Sequence, residues 1–208
     1  DAGFASWDDF TTAALAMADG DPGALIRSGF HFTTNDGMSA LRLAGTLCDR
    51  GVQPGDRVAL ALANGIDAAV AWYGIWRAGA AVVPLNPQAR GRDFVPWLRH
   101  SGARLLLHAP GHEDAERAAL EAGVPTLVQD LAGEPERAAG DAGTPGLPMP
   151  GAATLAAILY TSGTTGAPKG VALSHGNLAA NAESIIEYLQ LGRDDSTVSV
   201  LPFHYAYG

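Results

Sequence analysis

The sequence has 208 residues, 47% of them hydrophobic and 17% charged: enough for one good-sized domain or two small subdomains, and too apolar for a disordered chain. Its formal net charge of −9 argues against a nucleic-acid or anionic-membrane surface, since both need clustered cations. A single cysteine excludes an intrachain disulfide and fits a reducing cytoplasm. No charged–apolar–small-residue leader opens the sequence. Residues 36–50 (DGMSALRLAGTLCDR) have helical period, with Gly51 as the stop. Cys48 shares a face there with Met38, Leu41 and Gly45 and reads as a small buried hydrophobe rather than a reactive thiol. Pro54-Gly55 makes a turn, and residues 57–63 (RVALALA) suit a strand buried on both faces. The next helix, about 66–78, is apolar nearly all round, with Val70, Trp72, Tyr73, Ile75 and Trp76. The apolar stretch 59–85 is broken by Asn64, Asp67, Arg77 and Pro84, so it reads as a buried helix with flanking strands and not as a membrane span.

The pattern then repeats. Residues 81–84 (AVVP) form a strand, 91–101 a helix, 104–108 a strand, 113–122 a helix with acids in its first turn, and 126–128 a short strand. Such alternation implies a doubly wound α/β fold: largely parallel strands, right-handed crossovers and helices on both faces. The Gly/Pro-rich stretch 133–150 reads as a linker or long loop. It divides a first α/β subdomain (1–132) from the start of a second (151–208). There a strand at 154–160 leads into a loop at 161–170 and a short strand at 171–173. Ser174 caps a helix at about 175–190, a strand follows at 197–201, and the sequence closes on PFHYAYG.

The loop carries the chemistry. Residues 159–170 read LYTSGTTGAPKG, and Lys169 is the only lysine in a chain whose other cations are all arginines. A compact ammonium on a flexible stem is not replaced by a planar guanidinium at a phosphate. The P-loop of nucleotide hydrolases does not fit: Gly170 stands where a metal-binding hydroxyl belongs, and Pro168 stops a helix from starting around the lysine. The dinucleotide fingerprint is absent as well. Thr161, Ser162, Thr164 and Thr165 nevertheless offer hydroxyl donors, and Gly163 and Gly166 let backbone N–H groups face an anion. By composition alone the same cluster also suits an ordinary surface turn.

TSGTTGAPKG, with residues 158–160 ahead of it and Val171 behind, resembles the phosphate loop of the acyl-adenylate-forming enzymes: acyl-CoA synthetases, aryl-acid ligases, nonribosomal adenylation domains and luciferases. RGVQPGDRVALALAN (50–64), WRAGAAVVPLNP (76–87), LSHGNL (173–178) and PFHYAYG (202–208) resemble further stretches of that family, the earlier ones reading first as structural, their glycines and prolines ending helices and turning the chain.

The resemblance implies ATP-dependent activation of a carboxylic acid as an acyl-adenylate, with Mg²⁺, then transfer to a thiol of coenzyme A or of a carrier-protein pantetheine. Thr161, Ser162, Gly163, Thr164, Thr165 and Gly166 would wrap the β- and γ-phosphates, and Lys169 would supply compensating charge. His204 and Tyr205 would line the acyl pocket. Amino-acid-activating members often carry Asp at the second of these positions, and Tyr205 cannot pair with an ammonium, which favours a fatty, aryl or other simple organic acid.

Family members run to about twice this length or more, so the resemblance makes this chain an N-terminal fragment without catalytic turnover of its own. The adenine, ribose and Mg²⁺ ligands would lie beyond it, and no metal ligand is assigned here. Two other readings stay open: an amino-acid-activating domain, and a non-catalytic phosphate-binding or interaction module. His31, His100, His108, His112 and His175 show no ligand spacing and read as surface or structural.

Overall fold

The computed structural model describes residues 34–129, 150–161, 168–192 and 201–205. Its strands are β1 (Arg57–Ala61), β2 (Ala81–Pro84), β3 (Leu105–His108), β4 (Thr126–Val128), β5 (Leu155–Thr161) and β6 (Lys169–Ser174). The helices are α1 (Thr34–Asp49), α2 (Ile66–Arg77), α3 (Gly91–Ser101), α4 (Glu113–Ala122) and α5 (His175–Leu189). Residues 193–200, where a further strand is expected, lie outside the described residues.

The strands form one sheet in the order β4-β3-β1-β2-β5-β6. All pairings are parallel except that of β5 with β6. The path from β1 to β2 steps one way along the sheet, while those from β2 to β3 and β3 to β4 step the other way. Right-handed crossovers in opposite directions put their helices on opposite faces. Accordingly α1 and α2 cover one face, where Leu43, Leu47 and Ile75 pack on Val58, Leu60, Val82, Leu105 and Leu107. On the other, Phe94 and Leu98 of α3 and Ala115 and Ala119 of α4 pack on Ala59, Ala61, Val83 and Leu106. Neighbours along one strand thus serve different cores, as the period of two requires, and this is why β1 to β3 are continuously apolar. Cys48 is partly buried against the first core.

Close contacts fix the layers. Gly74 of α2 lies where a Cβ would come within 2.9 Å of Leu43 Cδ2 and 3.0 Å of the Ala40 carbonyl oxygen, so α1 and α2 approach through a missing side chain. Arg57 fastens α3 to β1: its guanidinium donates to the carbonyls of Ser101 (2.9 Å) and Gly102 (2.9 Å). A cation there also opposes the negative end of the helix dipole.

Residues 133–149 of the expected linker lie outside the described residues, yet the strands on either side of that stretch share the sheet, β2 pairing with β5 through Val82 and Ala157. The Trp76 indole N–H strengthens the junction by donating to the Ala156 carbonyl (2.8 Å). β6 returns antiparallel to β5 because residues 162–168 are too few for the crossover of roughly a dozen residues that a parallel partner needs. As expected, Ser174 caps α5, its hydroxyl accepting from the Asn177 N–H at 3.1 Å. Among the described residues, no helix is long and apolar enough to cross a membrane.

Candidate functional site

The β5–β6 hairpin puts the two ends of the glycine- and hydroxyl-rich loop side by side. Thr161, the last residue of β5, is paired with Lys169, the first of β6. Directly opposed residues of an antiparallel pair project to the same face with Cβ atoms about 5 Å apart. The lone ammonium therefore rises from a strand end beside the first threonine of the loop. Lys169 and Gly170, expected within the loop, belong to β6. Ser162, Gly163, Thr164, Thr165 and Gly166 lie outside the described residues.

One residue behind the mouth, Tyr160 is opposite Gly170. A Cβ on Gly170 would fall 2.7 Å from Ile158 Cγ2 and 3.5 Å from the Tyr160 ring, so the glycine gives these side chains their room. The Tyr160 hydroxyl donates to the Trp97 carbonyl (3.3 Å) and sits 2.8 Å from His100 Nδ1. Its pKa is raised by burial, a contact with Ser101 acting the other way, so the phenol stays protonated at neutral pH. The end of α3 thereby holds the strand that launches the loop.

A second cluster forms where β1 ends. Asn64 reaches residues 201–205: its amide nitrogen donates to the Leu201 carbonyl (2.8 Å), and its amide oxygen accepts from the Phe203 N–H (2.9 Å). The turn closes by a bond from the Tyr205 N–H to the Pro202 carbonyl (2.9 Å). The rings of His204 and Tyr205 meet edge-on at 4.7 Å. Burial lowers the His204 pKa, which keeps its imidazole neutral at pH 7, while Tyr205 is exposed. Sequence reasoning named these two residues but left Asn64 to the structural background. The available signal was an amide immediately after RVALALA, just past the carboxyl end of a buried parallel strand, where open α/β sheets bind ligands.

β1 and β5 run parallel with β2 between them, so Asn64 and the hairpin mouth follow strand ends on the same edge of the sheet. Two strand spacings, about 10 Å, separate β1 from β5.

Three further histidines are built into the fold. His108 is fully buried, with Nδ1 2.8 Å from the Ala109 carbonyl oxygen, and His112 caps α4 by accepting from the Ala115 N–H (3.4 Å). His175 is 2% exposed, lies edge-on to Trp76 at 5.1 Å, and is held by burial at a pKa of about 4. His31 lies outside the described residues. Among the described residues, no group of three or more His, Cys, Asp or Glu is placed to hold a metal ion.

The family model described as "AMP-binding enzyme" matches residues 31–208. Oxalate–CoA ligase of Arabidopsis thaliana is 34% identical over 173 residues, covering 77% of this chain and 33% of that protein. Pyochelin synthetase PchE of Pseudomonas aeruginosa is 35% identical over 197 residues, covering 92% of this chain and 12% of its own length. Among solved structures, ATP-bound MatB from Rhodopseudomonas palustris superposes with a TM-score of 0.73 at 30% identity, covering 91% of this chain and 39% of that one. The chain thus spans about a third of the Arabidopsis ligase and less of the synthetase.

Proposed function

Since the chain belongs to the AMP-binding enzyme family, within the acyl-adenylate-forming superfamily, we propose that it is the phosphate-gripping part of a longer protein that activates a carboxylic acid with ATP and passes the acyl group to a thiol. The observation that carries this reading is the pairing of Thr161 with Lys169 at the mouth of TSGTTGAPKG. Hydroxyls, glycine amides and an ammonium group are donors suited to phosphate oxygens rather than to a bare cation. They fit ATP bound through its β- and γ-phosphates. ATP enters with Mg²⁺, and none of the residues named here is assigned to the ion.

In the first half-reaction a carboxylate oxygen attacks the α-phosphorus. The bond from that phosphorus to the bridging oxygen of pyrophosphate breaks, and the electron pair leaves with pyrophosphate. Charge grows on the departing group, so donors held in advance around it lower the barrier. Thr161, Ser162, Gly163, Thr164, Thr165 and Gly166 hold the β- and γ-phosphates, and Lys169 adds a positive charge that no arginine of this chain duplicates. At the other cluster, His204 and Tyr205 line the acyl pocket. The neutral imidazole neither repels nor pairs with the reacting carboxylate, and a phenol at 205 offers no partner for an α-ammonium group. A simple organic acid fits better than an amino acid. The acceptor is the thiol of coenzyme A or of a carrier protein in the cytoplasm. The name of one relative, a CoA ligase, supports the first.

Carboxylate-dependent exchange of pyrophosphate into ATP by the full-length protein tests this. Lys169→Ala and Thr164→Ala are each expected to lower exchange by about 10²-fold, the scale of losing one donor to developing charge. Unchanged exchange in both would defeat the assignment of the loop. The 208 residues alone are expected to show no exchange, and a panel of acids that favoured an α-amino acid would refute the argument from Tyr205.

A further inference from the structure

We propose that Asn64 is a positioning residue of the acyl pocket: its side-chain amide holds residues 201–203 at the end of β1 and so sets where His204 and Tyr205 stand. The inference rests on the acyl-pocket reading of those two residues and adds to it the element that places them.

Three observations carry it. First, the contact has two points of opposite polarity, a donation to the Leu201 carbonyl at 2.8 Å and an acceptance from the Phe203 N–H at 2.9 Å. A carboxamide used this way fixes both position and orientation of the backbone it grips, as a neighbouring strand would. Second, the gripped residues flank Pro202, whose carbonyl accepts from the Tyr205 N–H at 2.9 Å. The turn that carries His204 therefore starts between the two anchored groups. Third, Asn64 lies three residues past the end of β1, and Val58, Ala59, Leu60 and Ala61 are buried in the centre of the sheet. Paths from the adjacent strands β1 and β3 leave in opposite directions, the arrangement that opens a ligand crevice at the carboxyl edge of such sheets. Asn64 thus refers the acyl side of the site to a buried central strand, separately from the β5–β6 hairpin.

Asn64→Asp keeps the shape and the acceptor but loses the donor, and places a carboxylate oxygen against the Leu201 carbonyl. Asn64→Ala removes both bonds, and Asn64→Gln keeps both polarities one methylene further out. In full-length protein, with acid-dependent pyrophosphate exchange as the readout, Asn64→Asp and Asn64→Ala are expected to raise KM for the acid about tenfold while KM for ATP stays within about twofold. Asn64→Gln is expected to recover part of the loss. One net hydrogen bond to an otherwise paired group is worth about that factor. A merely structural asparagine would move both KM values together or neither, and either result overturns the inference.

Amide hydrogen exchange supplies a readout apart from activity. The Phe203 N–H is expected to exchange about tenfold faster in Asn64→Ala than in the native protein, with the β1 amides unchanged. Equal protection at Phe203 would overturn the tether even in a protein that adenylates normally. Wild-type protein lacking acid-dependent exchange would instead refute the adenylation reading, and with it a role for Asn64 in an acyl pocket.

Discussion

Lys169 and His175 show how one sequence position takes its meaning from its surroundings. Lys169 is exposed at a strand end opposite Thr161, and the proposed function makes it a mobile point charge for a polyphosphate. Lys169→Arg preserves the charge but exchanges a compact ammonium for a planar fork. We expect KM for ATP in the exchange assay to rise at least about fivefold, and native kinetics in this variant would show that only charge matters. His175 is the opposite case, an imidazole enclosed near Trp76 and kept neutral. Its folded-state pKa of about 4 lies below the ordinary 6.5. As pH falls below about 6.5 the unfolded imidazole takes up a proton that the folded one refuses, so stability declines until about pH 4 and this contribution then levels off. Between pH 7 and 4.5 the loss from this residue is about 2 to 3 kcal/mol. Urea unfolding at the two pH values is expected to show a correspondingly smaller difference in His175→Leu than in the native protein. An identical difference would mean that His175 does not titrate in this range.

At the level of elements, the helices depend on how closely they approach as much as on their own propensity. Gly74 is an unfavourable residue for a helix interior, and alanine there would ordinarily stabilise by about 1 kcal/mol. The Ala40 carbonyl and Leu43 leave no room for that methyl group. Overpacking costs about 1–3 kcal/mol, so Gly74→Ala is expected to destabilise the fold by about 1 kcal/mol net. A variant more stable than the native protein in chemical denaturation would show that α1 can move aside. The β5–β6 hairpin follows a different rule: its short connection dictates an antiparallel return, and that return makes Thr161 and Lys169 neighbours across the ladder. Tyr160, held by the end of α3, ties this hairpin to the second core.

Across the described residues, the crossovers distribute the helices over two faces of the sheet, and the hairpin mouth and the Asn64 cluster follow strands that end at the same edge. Local patterning made much of this legible. The glycine after 36–50, the apolar run 57–63 and the acid-rich start of 113–122 each reflect forces acting within a few residues, and the helices and strands formed there within a residue or two at most ends. The composition of TSGTTGAPKG, with its hydroxyls, glycines and one lysine, is likewise a local property, and it is what motivates the proposal of a phosphate site. Sequence spacing carried no trace of Asn64 holding Leu201 and Phe203, of the Trp76 indole bonding Ala156, or of strands on both sides of 133–149 sharing one sheet. Those contacts join groups far apart along the chain, and their partners are chosen only when packing and sheet register bring them within hydrogen-bonding distance. By itself the sequence determined the alternating elements and the run of hydroxyls, glycines and one lysine at the β5–β6 hairpin. Tertiary structure alone decided that Lys169 stands beside Thr161 and that Asn64 grips the turn bearing His204, because hydrogen bonds act over about 3 Å, a distance that separation along the chain does not specify.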